Sequence, residues 1–383
     1  MPYHFVVETV NDYYADVCKT LMEEGTETSP RGKLTKELHP TTALIQDPRR
    51  RIVASHGRMI NLPFALAEVI QIITGQNDAQ ALRHYNSQII DIQGDTPDAT
   101  RFNAAYGERM RLFNAPAIRV EGELDVPVRQ VDQLQHVIET LRRDPDSRQA
   151  SIVLSHPWFD HYTQNTKDRA CNVYAHAMIR DGRLDWMQVI RSNDAIWGIP
   201  YNMIQWSHVQ EWVAASLDVQ MGHMFIVQDS FHVYEDKYEE CRAVEAFDLY
   251  HYLEMVPLRM KASEMIVVEL FTAERAIRMG MSYDKSALKF LDNVVGPYWC
   301  AVIKTLQAYR EFKEHRDDNA LKQLSEYAEL RAPMLRNFCH WRWNKDEKYK
   351  DLAFAACLDL YSYGVPHEEA HKWLGIKQSH SYT

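Results

Sequence analysis

The chain has 383 residues, of which 46% are hydrophobic and 25% charged, as in ordinary folded soluble proteins. A formal net charge of −10 disfavours an extended nucleic-acid-binding surface, which is usually basic, yet leaves room for a few arginines around one phosphate. No apolar run approaches the ~20 residues of a membrane helix, the opening MPYHFVVETVNDYY lacks the blocks of a signal peptide, and six scattered cysteines (18, 171, 241, 300, 339 and 357) form no CxxC pair, as expected of reduced thiols in the cytoplasm.

In chain order, Leu62, Leu66, Val69, Ile70 and Ile73 recur at helical spacing and predict a strongly apolar helix. Glu68 projects from it among Phe64, Ala65 and Ile72. Desolvation there should raise its carboxyl pKa toward neutrality, which suits proton exchange; a structurally paired carboxylate is the other reading. Val131, Leu134, Val137, Ile138 and Leu141 predict a second helix, stopped by Asp144-Pro145, and SIVLS (151–155) reads as a short buried strand. Val173–Ile179 and Leu184–Ile190 flank Arg180-Asp181-Gly182-Arg183, and Asp-Gly between two strands signals a two-residue hairpin. A helix over about 203–217 and a strand at Phe225–Val227 complete a mixed sheet with helices packed on it. Beyond about 245 the pattern turns almost wholly helical, so the expected division is a core at 1–245 and a helical extension at 246–383.

Three stretches carry the chemistry. Arg169-Ala170-Cys171-Asn172 sets a thiol at the start of a strand with a basic neighbour, and a nearby cation raises the thiolate fraction. The segment from Arg191 to Asn202, RSNDAIWGIPYN, combines a cation, a hydroxyl, a carboxylate and an amide. In Asp229-Ser230-Phe231-His232-Val233-Tyr234, strand alternation puts His232 and Tyr234 on one face.

Together these stretches resemble the thymidylate synthase superfamily. CNVYAHAMIRDGRLDWMQVIRSNDAIWGIPYN is similar to its nucleophile strand, hairpin and RS-x-D-x-x-x-G-x-P-[FY]-N signature. EEGTETSPRGKL resembles the phosphate loop, ALAEVIQIITGQNDAQALRHYN the helix of the catalytic glutamate, AAYGERMR the tyrosine-glycine segment, and RRDPDSRQASIVLS the arginine segment. The likeness covers roughly residues 10–240. It implies an α+β fold, a three-layer core around a mixed sheet, followed here by the all-helical extension.

The resemblance also implies roles. Cys171 matches the nucleophile that adds to pyrimidine C6, Glu68 the proton-exchanging carboxyl, and Tyr106 the residue implicated in removing the C5 proton through water. Arg31, Arg191, Ser192 and, from the partner of a homodimer, Arg148 match the phosphate clamp, where guanidinium suits bidentate contact; Gln149 stands where a second arginine is usual. His232 and Tyr234 match the contacts to the sugar 3′-hydroxyl, with Phe231 as one extra residue in that loop. Asn202 offers a donor and an acceptor to uracil, whereas an aspartate there would suit cytosine. Asp194, with Gly198 beside it, matches the contact to the pterin of 5,10-methylenetetrahydrofolate, the implied co-substrate; no metal is implied.

Synthases finish by reducing the one-carbon unit to a methyl group with hydride from the folate, whereas hydroxymethylases add water, so exclusion of water decides the product. The stretch SQIIDIQGD (87–95) lacks the family's tryptophan, Asn172 replaces the histidine after the nucleophile, and a helical extension replaces the closing tail. These departures favour a dUMP hydroxymethylase of the kind bacteriophages use, acting in the host cytoplasm. A thymidylate synthase, a (d)CMP hydroxymethylase and an inactive relative acting as a binding protein are the alternatives. His367-Glu368-Glu369-Ala370-His371 fits H-E-x-x-H, but no third ligand follows and the motif opens a helix where acidic residues are favoured anyway.

Overall fold

The computed structural model describes residues 2–115, 129–162, 166–247, 249, 259–315, 318–324, 326–343 and 350–375. Its strands are β1 (Tyr3–Val7), β2 (Thr26–Thr28), β3 (Thr35–Leu38), β4 (Thr41–Ile45), β5 (Phe113–Ala115), β6 (Arg129–Val131), β7 (Ser151–Val153), β8 (Asn172–Arg180), β9 (Arg183–Asp194) and β10 (Gln220–Tyr234). Eight of them make one sheet in the order β1-β4-β10-β9-β8-β7, with β3 on β10 and β2 on β3; β5 and β6 pair separately. β1 with β4 and β9 with β10 run parallel, whereas β8–β9 is an antiparallel hairpin. Asp181 and Gly182 turn that hairpin with φ of 50° and 71°. Two positive φ values are the type I′ signature that matches strand twist.

One face of the sheet is dry. Leu184, Trp186, Gln188 and Ile190 alternate inward along β9 and are fully buried. Against that face lie α1 (Val10–Glu24), α6 (Gln133–Arg143) and α7 (Ile199–Leu217). A further layer holds α2 (Leu62–Thr74), α3 (Ala79–Tyr85), the short α4 (Ile89–Gln93) and α5 (Tyr106–Arg111), with α2 packed on α7. Helices Glu264–Arg278, Pro297–His315 and Ala328–Trp343 of the extension then pack on α2 from outside. Enclosure from both sides explains why LPFALAEVIQIIT is apolar nearly all round.

The extension also grips the approach to α2. Arg336 Nη1 donates to the carbonyls of Ser55 (3.0 Å) and Arg58 (3.3 Å), and Trp373 Nε1 to that of Ala54 (2.8 Å). Asn337 donates to Ile60 O (2.8 Å) and accepts from Leu62 N (3.3 Å). Asn61 then caps α2 by accepting from Phe64 N. On the neighbouring helix, His208 of α7 bonds the Tyr298 hydroxyl, and Trp212 packs edge-on to Trp299.

Two expectations shift. Val131 lies in β6 and is 40% exposed, because the side chain of Asp132 caps α6 by accepting from Gln135 N and so excludes it from the helix. Val153 is 45% exposed because β7 is an edge strand, covered on one side only. In the extension, Gly296 (φ 84°, ψ 166°) divides one long helical stretch into two helices. The boundary expected near 240–250 falls partly on residues 248 and 250, outside the described residues. Both histidines of the H-E-x-x-H stretch turn to Tyr361, His367 by ring stacking at 3.9 Å and His371 by a 2.9 Å contact to its hydroxyl, while Glu369 faces His56.

Candidate active site

Cys171 precedes β8 at the point where β9 brings Arg191 alongside. Arg191 N donates to Cys171 O (2.9 Å), its Nε to Ala170 O (2.8 Å), and its Nη2 stands 4.0 Å from the Cys171 sulfur. Cys171 is half-buried, whereas the other five cysteines are buried. Burial raises the Cys171 thiol above the usual cysteine range; Arg191 draws it back, while the carboxylates of Asp168, Asp194 and Asp160 add to the rise. The expectation that a neighbouring cation alone favours thiolate is therefore outweighed in the resting protein.

The Tyr106 hydroxyl accepts from the backbone N–H of both Cys171 (3.3 Å) and Asn172 (3.2 Å), tying α5 to the start of β8. Its ring leans on Trp206 of α7. Close approach of α5 to α2 requires Gly107, where a Cβ would fall 2.3 Å from Gln71 O. On α2, the Glu68 side chain is half-buried but its Oε2 is sealed from solvent with no hydrogen-bond partner among the described residues. Desolvation lifts its pKa from 4.5 to about 8, offset only by the Gln205 side chain, so the carboxyl carries a proton at neutral pH.

Asn202 enters on the first turn of α7. Its Oδ1 accepts from Asn172 Nδ2 (3.1 Å) and its Nδ2 donates to Asn193 Oδ1 (3.0 Å). The turn leading to it depends on Gly198, because a Cβ there would sit 2.5 Å from Asn193 Oδ1 and 2.8 Å from the Asp194 backbone. Asp194 Oδ1 accepts from Ile196 N and Trp197 N, both at 2.7 Å. Burial raises the Asp194 carboxyl, against those hydrogen bonds and the nearby His232. His232 is opposite Asp194 in the β9–β10 register, and burial lowers its pKa despite that carboxylate.

His232 and Tyr234 do share a face, with rings 5.4 Å apart, and Lys33 lies over the Tyr234 ring. Arg31 is exposed on a turn at φ 53° and is close enough to His232 to oppose its protonation. Ser192 faces Ser230 across the strands. Arg148 is exposed before β7 and makes no side-chain hydrogen bond or ion pair among the described residues. The structure thus gathers Cys171, Arg191, Tyr106, Asn202, Asp194, Gly198 and His232 through direct bonds or strand register, while Glu68 and Arg148 make no side-chain bond to that group among the described residues.

Several neighbours of the site escaped the sequence reading. Asp168, whose pKa burial lifts to about 6, faces Cys171 and accepts from Ala104 N. Arg58 lies over the exposed ring of Trp197 and donates to Ile196 O, bracing the loop after Asp194. Gln188, Asn193 and Gln228 bond one another or Asn172 beneath Asn202. A lone polar residue in a strand signals nothing by spacing; only the hydrogen bonds reveal these.

A half-buried thiol beside an arginine, and a desolvated carboxyl on α2, are groups that nucleophilic group-transfer chemistry can use. The "Thymidylate synthase" family model matches residues 12–269, and the chain belongs to that family of one-carbon transferases. Among curated proteins, the chain is 32% identical to "Deoxyuridylate hydroxymethyltransferase" of Bacillus phage SP01, over 85% of this chain and 80% of that protein. It is 30% identical to a protein of the same name from Pseudomonas phage M6, over 51% of each. A provisionally named thymidylate synthase of Methanothermobacter marburgensis is 26% identical over 64% of this chain and 98% of its own length.

Proposed function

We propose that the chain is a deoxyuridylate hydroxymethyltransferase, converting dUMP, 5,10-methylenetetrahydrofolate and water to 5-hydroxymethyl-dUMP and tetrahydrofolate. The observation that carries this reading is the likeness to the SP01 hydroxymethyltransferase. Its coverage of 85% of the chain cannot be met by residues 1–245 alone, so it reaches into the extension. The tryptophan that would help a synthase keep water out has no counterpart in SQIIDIQGD (87–95).

The residues fit the co-substrate. Asp194 spends Oδ1 on two backbone N–H groups, which leaves Oδ2 to accept from a pterin ring. When bound, methylenetetrahydrofolate supplies the carbon that becomes attached to C5. Arg191, Arg31, Ser192 and the partner's Arg148 hold the nucleotide phosphate, and His232 with Tyr234 the 3′-hydroxyl. Asn202 takes the uracil edge. Cys171 adds its sulfur to C6, leaving C5 enolate-like and nucleophilic. Its thiol proton leaves only once the site is occupied, because burial keeps the resting thiol protonated. Glu68, protonated near neutrality, exchanges its proton with the base and ordered water. Tyr106 holds a water that takes the C5 proton.

A homodimer suits the sheet's second face, where Met178, Met187, Val189, Phe225 and Val227 are only half-buried within one chain. The deciding experiment incubates the protein with methylenetetrahydrofolate and dUMP, dCMP, UMP or CMP, and reads product masses. A hydroxymethyl product from dUMP with tetrahydrofolate is expected. A methyl product with dihydrofolate would make the protein a thymidylate synthase, and turnover of cytosine nucleotides alone would remove the assigned role of Asn202.

A further inference from the structure

A file of buried amides runs beneath Asn202. Trp186 Nε1 donates to Gln188 Oε1 (3.1 Å), Gln188 Nε2 to Asn172 Oδ1 (3.1 Å), and Asn172 Nδ2 to Asn202 Oδ1 (3.1 Å). Asn202 Nδ2 then donates to Asn193 Oδ1 (3.0 Å), and Asn193 Nδ2 to Gln228 Oε1. Gln228 Nε2 ends the file on the hydroxyls of Tyr13 and Thr41. All these residues are buried, and every link points the same way.

The two ends differ chemically. An indole N–H only donates, whereas a hydroxyl rotates to donate or accept. Each amide fits its place in either of two flipped orientations, so the file could in principle run in either direction. Running it backwards would press the Gln188 amide N–H against the Trp186 N–H, two buried donors with no acceptor between them. The direction is therefore dictated from the Trp186 end, and the hydroxyl end follows.

For Asn202 this direction has a chemical meaning. The file uses one lone pair and one N–H of its amide, leaving one of each for a ligand. Uracil offers O4 and N3–H; cytosine offers N4–H and N3, the same two positions with donor and acceptor exchanged. Turning the amide over would exchange one base for the other. We propose that Trp186 and Gln188, neither of which touches the nucleotide, are positioning residues that set selectivity for uracil over cytosine by fixing which way the Asn202 amide faces. This rests on the reading of Asn202 as the base contact.

The test measures kcat/KM for dUMP and dCMP, and the Kd of each nucleotide alone, in the full-length parent and three variants. Gln188→Met keeps the volume and cuts the file; Trp186→Phe removes the dictating donor. Both should lower the dUMP-to-dCMP ratio at least tenfold, through a gain in dCMP binding as well as a loss in dUMP. Tyr13→Phe leaves Thr41 to accept from Gln228 and should keep the parental ratio. A folded Gln188→Met with the parental ratio overturns the proposal, as does a Tyr13→Phe that lowers the ratio equally. If Gln188→Met fails to fold, Trp186→Phe reads the same ratio, and failure of both makes the file structural and overturns it too. A parent that binds uracil no better than cytosine instead overturns the role of Asn202 itself.

Discussion

Cys171 meets opposing fields at the scale of a single residue: enclosure favours the thiol, Arg191 the thiolate, and enclosure prevails. Alkylation of the free protein should therefore rise with pH through a midpoint above the ordinary ~8.5 of cysteine. Arg191→Met should move that midpoint higher still, followed by mass spectrometry of the Cys171 peptide; a midpoint at or below the ordinary cysteine value would contradict the burial account. Glu68 gives a second titration. The folded chain keeps its proton up to about pH 8, whereas an unfolded carboxyl releases one near 4.5, so this group's contribution to stability falls steadily between those values and is lost above them. Glu68→Gln has nothing to titrate. Its Tm relative to the parent should rise as pH goes from 5 to 8.5, while kcat/KM falls about 10²- to 10⁴-fold. A Tm difference independent of pH would show that Glu68 titrates normally.

At the scale of elements, legibility followed how local the determinant was. The Asp181-Gly182 hairpin and the α2 helix could be read directly, since two residues and a 3.6-residue period decide them. Val131 misled because apolar spacing continued across Asp132, whose capping bond starts the helix only at Gln133. The segments that bear Cys171, Arg191 and Asn202 stood out as clusters of reactive groups. Gln188 and Gln228 did not, for each is a single polar residue whose partner lies on another strand. Gly198 belongs to both worlds: visible within a motif, but explained only by the 2.5 Å its Cβ would leave to Asn193. Gly198→Ala should cost about 1–3 kcal/mol of stability in urea melts, by overpacking at that contact. An unchanged denaturation midpoint would mean that the turn has slack the distances do not show.

At the scale of the whole molecule, the unassembled residue is Arg148, exposed and with no side-chain bond to the other candidates among the described residues. If it serves the partner's phosphate, two inactive proteins should repair each other. Mixing Arg148→Ala with Cys171→Ala under subunit exchange should restore turnover, because hybrids hold one site with both groups intact. Absence of any recovery, with exchange verified by native mass spectrometry, would confine Arg148 to its own chain. The extension was foreseen as helical, but its attachment was not. Its grip on residues 54–62 uses backbone carbonyls, to which side-chain patterning is blind.

That grip has a kinetic consequence. α2 has sheet-bound α7 on one side and three extension helices on the other, and Asn337 clasps the two residues that flank its cap. Amide hydrogens from Ala65 to Ile73 should thus trade for deuterium as slowly as those of β9, only when the whole molecule opens. Asn337→Ala should let them exchange by fraying from the Leu62 end, ahead of the sheet. In the parent, the helix that carries the Glu68 carboxyl is expected to be, in its own backbone, among the last places where solvent protons arrive.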